Sequence, residues 1–125
     1  MKAAIYSRVS TDQQDYSKQT EELKDYAQRN GIEVVYVFEE KESGFNNDRP
    51  EFEKLRKLTK QDIDIILVWE ISRLSRRSIY LQQQIEDFTN KGICIYALSN
   101  SLRTINADGT INEMARVVLA VTATI

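Results

Sequence analysis

The sequence has 125 residues, which is enough for one domain with a hydrophobic core and too few for two. Its composition, 42% hydrophobic and 29% charged, is that of a globular protein, and its net charge of -2 argues against a stand-alone nucleic-acid binder, which is usually basic. The absence of histidine and the single cysteine, Cys94, exclude an internal disulfide and disfavour a zinc site. We interpret Cys94 as a small buried hydrophobe in a reducing cytoplasm, and no stretch is apolar enough to predict a membrane span.

Four short apolar runs predict β-strands at 3–9, 34–38, 63–69 and 93–98. Each is rich in isoleucine, valine and aromatic residues, as expected of strands that are covered on both faces. The stretches between them carry apolar residues at helical spacing, which predicts amphipathic helices. These residues are Tyr16, Thr20, Leu23 and Ala27 in the first stretch, Phe52, Leu55 and Leu58 in the second, and Leu81, Ile85 and Phe88 in the third.

Turn signals bound these helices. Asn30-Gly31 predicts the end of the first helix, and Gly92 lies near the end of the third. Asp48-Arg49-Pro50-Glu51 resembles a capping box with proline in the first turn of the second helix. Strands that alternate with helices predict βαβ units with right-handed crossovers, and therefore an α/β fold with a mostly parallel sheet.

A last helical pattern begins near Thr110, and its apolar positions are Ile111, Met114, Val118 and Val121. No stop signal follows, and residues 115–125 are nearly all apolar. A helix that is apolar on most sides requires a partner surface, so we expect that this pattern is the start of a longer helix in a larger protein. The alternative is a self-contained domain with a frayed terminus.

A serine and an arginine mark the end of the first predicted strand. Tyr6, Arg8 and Ser10 alternate and therefore share one face. Ser10 falls just past the carboxyl end of the strand, where open parallel sheets bind their ligands, although a lone serine there more often caps a turn. Arg8 is costly in an apolar strand unless it is paired, so it either pairs with a carboxylate such as Glu40 or holds an anion next to Ser10.

Three further arginines follow later strands. Arg49 stands beside the start of a helix, and its local setting favours an ordinary solvated arginine. Arg73 and Arg76 follow the third strand and face the same way if their segment is a helical turn. Convergence of these side chains with Arg8 would hold a phosphodiester, lower the pKa of the Ser10 hydroxyl and stabilise a pentacoordinate transition state. The absence of histidine excludes a Ser-His-Asp triad.

Three ordered motifs resemble the serine recombinase family of resolvases, invertases and large integrases or transposases. They are Arg8-Val9-Ser10-Thr11-Asp12-Gln13-Gln14, Lys41-Glu42-Ser43-Gly44 followed by Asp48-Arg49, and Arg73-Leu74-Ser75-Arg76. The resemblance implies a three-layer resolvase-like fold, with a mostly parallel sheet of four to five strands flanked by helices and ending in the start of a long dimerisation helix. It also implies that residues 1–125 are a catalytic domain and that the DNA-binding region lies elsewhere.

The activity that this resemblance implies is site-specific recombination of double-stranded DNA. Ser10 would attack the scissile phosphate to form a 5′-phosphoserine bond, in homodimers that assemble into a synaptic tetramer, with no cofactor or metal. Arg8, Arg73 and Arg76 match phosphate-binding arginines of the family, and Arg49 matches the arginine of its mobile loop. Supporting positions of the family are matched by Tyr6, Gln14, Gln19 and Glu40. The alternative role of Tyr6 is core packing, and that of the two glutamines is solvation on a helix surface. A cytoplasmic protein of bacterial or phage origin is expected.

One departure and two competing hypotheses remain. Ser72 stands where small resolvases carry an aspartate, which resembles the large integrase and transposase branch and removes one proposed proton-handling group. A non-catalytic accessory α/β module of a recombination complex is the main alternative, and the complete set of Ser10 and arginines argues against it. A flavodoxin-like or receiver-like ligand domain is disfavoured because the turn after the first strand lacks glycine and arginines dominate the sheet edge.

Overall fold

A computed structural model describes residues 1–10, 16–42, 49–70, 78–99, 101–106 and 110–112. Strands and helices alternate along most of the chain, as the sequence predicts. The elements are β1 (Lys2–Ser10), α1 (Tyr16–Arg29), β2 (Glu33–Glu42), α2 (Pro50–Arg56), β3 (Ile65–Val68), α3 (Ser78–Asn90), β4 (Cys94–Ala97) and β5 (Leu102–Arg103).

The strands form one sheet in the order β2-β1-β3-β4-β5. The pairs β1–β2, β1–β3 and β3–β4 are parallel, and only β5 runs antiparallel to its neighbour β4. This arrangement confirms the predicted α/β fold with a mostly parallel sheet. Because the chain moves from β1 outward to β2 and then back across to β3, the direction of winding reverses between β1 and β3. Ligands bind beside such a reversal, at the carboxyl ends of the strands.

Helices cover both faces of the sheet and create two hydrophobic cores. On one face α1 contributes Leu23 and Ala27, which pack against Ala3 and Ile5 of β1 and against β3. On the other face α2 and α3 contribute the larger core, whose buried members include Ala4, Tyr6, Phe52, Leu55, Ile85 and Phe88. The alternation of Ala3 and Ile5 with Ala4 and Tyr6 between the two cores is the period-two pattern of a strand. The three-layer architecture is therefore confirmed.

The structure confirms the predicted ends of two helices. Gly31 follows α1 with φ of 67°, and Gly92 follows α3 with φ of 81°. Both values lie in the left-handed region, where glycine is the residue of lowest cost. The amide of Ile32 then donates a hydrogen bond to Ala27 O at 2.8 Å, and the amide of Ile93 donates one to Phe88 O at 2.9 Å. Each turn thus redirects the chain from a helix toward the next strand.

Strand β2 is longer than its apolar run predicts. The prediction ended at Phe38, whereas the strand continues through the charged residues to Glu42. Its last part is in parallel register with β1, from the pair Ser7 and Glu39 to the pair Ser10 and Glu42. Main-chain pairing holds this segment even though it carries no apolar pattern. Charged side chains are common on edge strands such as β2.

Two predictions require correction. The last helix does not begin at Thr110, because Ile111 forms an antiparallel bridge with Ile105 and the Asn106 amide donates a hydrogen bond to Thr110 O at 2.8 Å. The side-chain amide of Asn112 donates to Arg103 O at 2.8 Å and holds the chain in this extended pairing. Residues 113–125 lie outside the described part, so a later helix there stays a prediction. Cys94 is half-buried rather than buried, because it lies on the α1 face toward the antiparallel edge of the sheet.

Among the described residues, no helix has the length and hydropathy needed to cross a membrane.

Candidate active site at the carboxyl end of the sheet

Several residues predicted to carry chemistry lie toward the carboxyl ends of β1 and β2 or at the start of α2. Ser10 is the last residue of β1 and pairs with Glu42, and the structure describes it by its backbone. Gln14, Arg73 and Arg76 lie outside the described residues. Four predicted residues meet on the α2 side of the sheet, and we call them the Tyr6 cluster: Tyr6, Arg8, Glu40 and Arg49.

Tyr6 is at the centre of this cluster and is fully buried. Its hydroxyl accepts a hydrogen bond from Arg49 Nη2 at 2.9 Å and donates one to Glu40 Oε1 at 3.4 Å. Burial raises the pKa of Tyr6 to about 12, against the opposing effect of the Arg49 guanidinium. The phenol therefore stays protonated near neutral pH. It connects Arg49 to Glu40 because its hydroxyl accepts a hydrogen bond from the first and donates one to the second.

Glu40 anchors the start of α2. Although it belongs to β2 and is only 3% exposed, its Oε1 accepts the Phe52 N–H at 2.9 Å and its Oε2 accepts the Glu51 N–H at 3.3 Å. These amides belong to the first turn of the helix, where N–H groups have no intrahelical partner. A carboxylate at this position satisfies them and also interacts favourably with the helix dipole.

The predicted capping box is therefore corrected in part. Pro50 does occupy the first position of α2, but the residue before the helix is Arg49, and its side chain makes no capping hydrogen bond. The Glu51 carboxylate pairs with Lys54 Nζ at 2.9 Å, and Asp48 lies outside the described residues. The capping carboxylate comes from the neighbouring strand, because the sheet brings Glu40 to the open end of the helix.

Arg49 packs against aromatic rings, so it is not the solvated arginine that its local sequence suggests. Its Cζ lies 4.2 Å from the centroid of the Phe52 ring and 5.7 Å from that of Tyr6. The Tyr6 and Phe52 rings meet edge to face, with centroids 5.6 Å apart and an interplanar angle of 74°. Both guanidinium contacts are within the range of cation–π attraction. Sequence reasoning assigned Phe52 to the core and missed this contact, which the spacing of three residues in a helix makes geometrically available.

Arg8 is half-buried and stands beside Glu40 in the β1–β2 register. It shares the face of β1 that carries Tyr6, and its positive charge is one of the smaller influences that lower the Tyr6 pKa. Two arginines, one carboxylate and one phenol thus share a single face near the strand end at Ser10. Such an arrangement presents positive charge to an anion while the carboxylate fixes the geometry of its neighbours.

Gln19 is not brought to the Tyr6 cluster. It lies half-buried on α1, which packs on the opposite face of the sheet. That face holds a pair that the sequence reasoning did not identify: the Ser7 and Thr20 hydroxyls are buried and lie 3.1 Å apart. Ser7 is the only serine of β1 other than Ser10, and its hydroxyl lies on the face of the sheet that α1 covers.

Known proteins similar to this chain are resolvases and invertases. The family model described as "Resolvase, N terminal domain" matches residues 3–125. The Transposon Tn3 resolvase of Escherichia coli is 31% identical over 94% of this chain and 60% of its own length. A DNA-invertase of Escherichia phage P1 is 31% identical over 79% of this chain and 50% of its own length. This chain thus spans little more than half the length of these curated relatives.

Solved structures that resemble this chain include catalytic domains of an integrase and of a serine recombinase. The N-terminal catalytic domain of TP901-1 integrase matches 99% of this chain and 92% of its own, with a TM-score of 0.78 and 28% identity. The C-terminal catalytic domain of ISC1926 TnpA, an IS607-like serine recombinase, matches 78% of this chain and 69% of its own, with a TM-score of 0.70 and 34% identity.

Proposed function

This chain belongs to the resolvase N-terminal domain family, and on that premise we propose that it is the catalytic domain of a site-specific DNA recombinase. One observation carries the proposal. Arg49, from the start of α2, is hydrogen-bonded to Tyr6 on the face of β1 that also carries Arg8, and β1 ends two residues later at Ser10. Positive charge beside a serine at the carboxyl edge of a parallel sheet suits attack on a phosphodiester.

The proposed substrate is a recombination site in double-stranded DNA, and Ser10 is the nucleophile. Its Oγ forms a bond to the scissile phosphorus while the bond from phosphorus to the 3′ oxygen breaks. Overall the serine proton passes to that oxygen, which leaves as a 3′-hydroxyl, and a 5′-phosphoserine remains. Attack of a 3′-hydroxyl on this phosphoserine reverses the step after strand exchange. The reaction exchanges one phosphate ester for another, so it requires no nucleotide hydrolysis.

The arginines have the role of binding the phosphate and its developing charge. Guanidinium groups bind phosphate oxygens through paired N–H donors, and their charge opposes the extra negative charge of the pentacoordinate state. Arg8 and Arg49 are the two that the Tyr6 cluster holds together, and Arg73 and Arg76 complete the proposed set. Tyr6 and Glu40 are supporting residues that orient Arg49 and the first turn of α2, and Gln14 and Gln19 are the remaining supporting residues.

The rest of the proposal concerns the larger protein. The net charge of -2 and the partial coverage of the curated relatives support a DNA-binding region outside residues 1–125. We expect homodimers of the full-length protein that assemble into a synaptic tetramer in the cytoplasm of a bacterium. Ser72, together with the likeness to TP901-1 integrase, supports the large integrase and transposase branch.

The test uses the full-length protein and DNA that spans the ends of its own element. Wild type is expected to give a protease-sensitive adduct that survives denaturant, with the phosphate mapped to Ser10. Ser10→Ala is expected to give none. Ser7→Ala is the matched control, since it removes from the same strand a hydroxyl that contacts Thr20 of α1, and it is expected to retain the adduct. DNA that is bound and synapsed without any wild-type adduct would overturn the proposal in favour of an accessory module.

A further inference from the structure

The ring of Phe52 contacts Arg49, a predicted phosphate-binding arginine that comes from outside the strand of Ser10. We propose that Phe52 is a positioning residue that holds the Arg49 guanidinium in place for the scissile phosphate. This inference rests on the proposed function and adds a residue to it. Phe52 does not touch the reacting atoms, and it acts through Arg49 alone.

The contact is close and well shielded. Arg49 Cζ is 4.2 Å from the centre of the Phe52 ring, compared with 5.7 Å from that of Tyr6, so Phe52 provides the nearer aromatic face. Phe52 is only 1% exposed. Cation–π attraction is stronger where water is excluded, and a flexible arginine side chain loses less freedom on binding if it is already held.

The ring itself is fixed by its neighbours. The Phe52 amide donates to Glu40 Oε1 at 2.9 Å, which attaches the residue to β2. The Tyr6 ring meets it edge to face at 5.6 Å, and the Phe88 ring does so from α3 at 6.5 Å with an interplanar angle of 83°. Three elements therefore determine where the aromatic face lies, and this face in turn determines where the cation rests.

A cation–π contact is compatible with phosphate binding. A guanidinium is planar, and its N–H donors point outward in that plane. An aromatic ring attracts the charge and supplies no oxygen acceptor, whereas a carboxylate in the plane would compete with the phosphate for donors. The contact with Phe52 thus holds the group without adding a competing oxygen acceptor.

The test replaces Phe52 in the full-length protein with phenylalanines that carry one, two or three fluorine atoms. Fluorine progressively weakens the negative face of the ring and nearly preserves its shape, so a packing role is insensitive to it. We expect the rate of adduct formation to fall stepwise, by about threefold to tenfold for the trifluoro ring, in line with the strength of a shielded cation–π contact. The same series at Phe38 is the matched control, since it lies in the same core, and its rate should stay at the wild-type value.

The outcomes separate this inference from the proposed function. A stepwise decrease at Phe52 and none at Phe38, with equal thermal midpoints, supports the positioning role. Equal rates across the Phe52 series, with an intact wild-type adduct, overturn the inference alone. A rate that rises with fluorination also overturns it, because Arg49 would then be held away from the phosphate. Absence of the adduct in wild type overturns the proposed function, and the positioning role with it.

Discussion

The Glu40 carboxylate accepts the backbone N–H of Phe52 at 2.9 Å, although Glu40 belongs to strand β2 and Phe52 to the first turn of helix α2. Twelve residues separate the two along the chain. The same carboxylate accepts the Tyr6 hydroxyl at 3.4 Å, so one buried side chain connects β1, β2 and α2. The stability of the domain and the geometry of its candidate site therefore depend on the same group.

Replacement of Glu40 by glutamine keeps its size and one carbonyl oxygen but removes the charge. The helix amides lose an ionised acceptor, and an amide NH2 group is placed where acceptors are needed. We expect the free energy of unfolding to fall by about 1–3 kcal/mol, as for hydrogen bonds to charged groups and for lost helix caps. Urea denaturation of the purified domain measures this change.

Glu39→Gln is the control for this substitution. Glu39 is the preceding residue on β2 and is exposed, so its change should alter the free energy of unfolding by no more than about 0.5 kcal/mol. Equal losses from the two substitutions would show that the helix cap contributes nothing beyond a general charge effect.

The elevated Tyr6 pKa predicts a loss of stability in alkali. The unfolded chain ionises this phenol near its ordinary pKa of 10, while the folded protein retains the proton until the pKa of about 12 is reached. The contribution is fully present below pH 10 and is lost as the pH rises toward 12, at a total of about 2–3 kcal/mol. Tyr6→Phe lacks this contribution.

The measurement is the difference in unfolding free energy between wild type and Tyr6→Phe, taken at several pH values from neutral to 12. Other tyrosines and lysines titrate in both proteins and largely cancel in the difference. We expect the difference to change with pH only above about pH 10. A difference that is constant over the whole range would mean that Tyr6 ionises as freely in the folded state as in the unfolded one.

Removal of the Arg8 side chain should abolish cleavage while preserving the fold. Arg8 is half-buried at the end of β1, so its loss opens little of the core. We expect Arg8→Ala to lower the rate of adduct formation by about 100-fold or more, as for other donors that stabilise a transition-state charge. Arg8→Lys keeps the charge without the paired donors and should retain a small part of the activity. Arg73→Ala should match Arg8→Ala.

The control is Arg29→Ala, which removes an exposed arginine from the last turn of α1. Its rate should equal that of wild type. The assay uses full-length proteins whose circular dichroism spectra agree. Near-normal cleavage by Arg8→Ala would remove this arginine from phosphate binding and favour a structural role for it.

The sequence predicts most of the layered fold because periodicity reports which side chains are buried. Leu23 and Ala27 identify the inner face of α1, and both are buried as expected. Periodicity does not report main-chain pairing, which is why the extension of β2 from Phe38 to Glu42 was not predicted. It also gives little warning of an antiparallel bridge, such as that between Ile105 and Ile111, in place of a helix start.

The sequence predicts the four residues of the Tyr6 cluster but not the contacts between them. Tyr6, Arg8, Glu40 and Arg49 were all identified from motifs, and the structure brings them together. The capping role of Glu40 depends on the proximity of two elements in space, which no local pattern encodes. The contact of Arg49 with the Phe52 ring has the same origin. An arginine in solvent and one held against a ring can have identical local sequences.

The extension of β2 also has a mechanical consequence for Ser10. Among the described residues β3 pairs with β1 from Ala3 to Ile5, whereas β2 pairs with it as far as Ser10. Within the described residues, β1 beyond Ile5 is thus paired on one side only, as in a two-stranded ribbon, and such ribbons twist more strongly than the interior of a wide sheet. The backbone direction at Ser10 therefore depends on the twist that accumulates along its pairing with β2. A change in the curvature of β2 would rotate the backbone at Ser10.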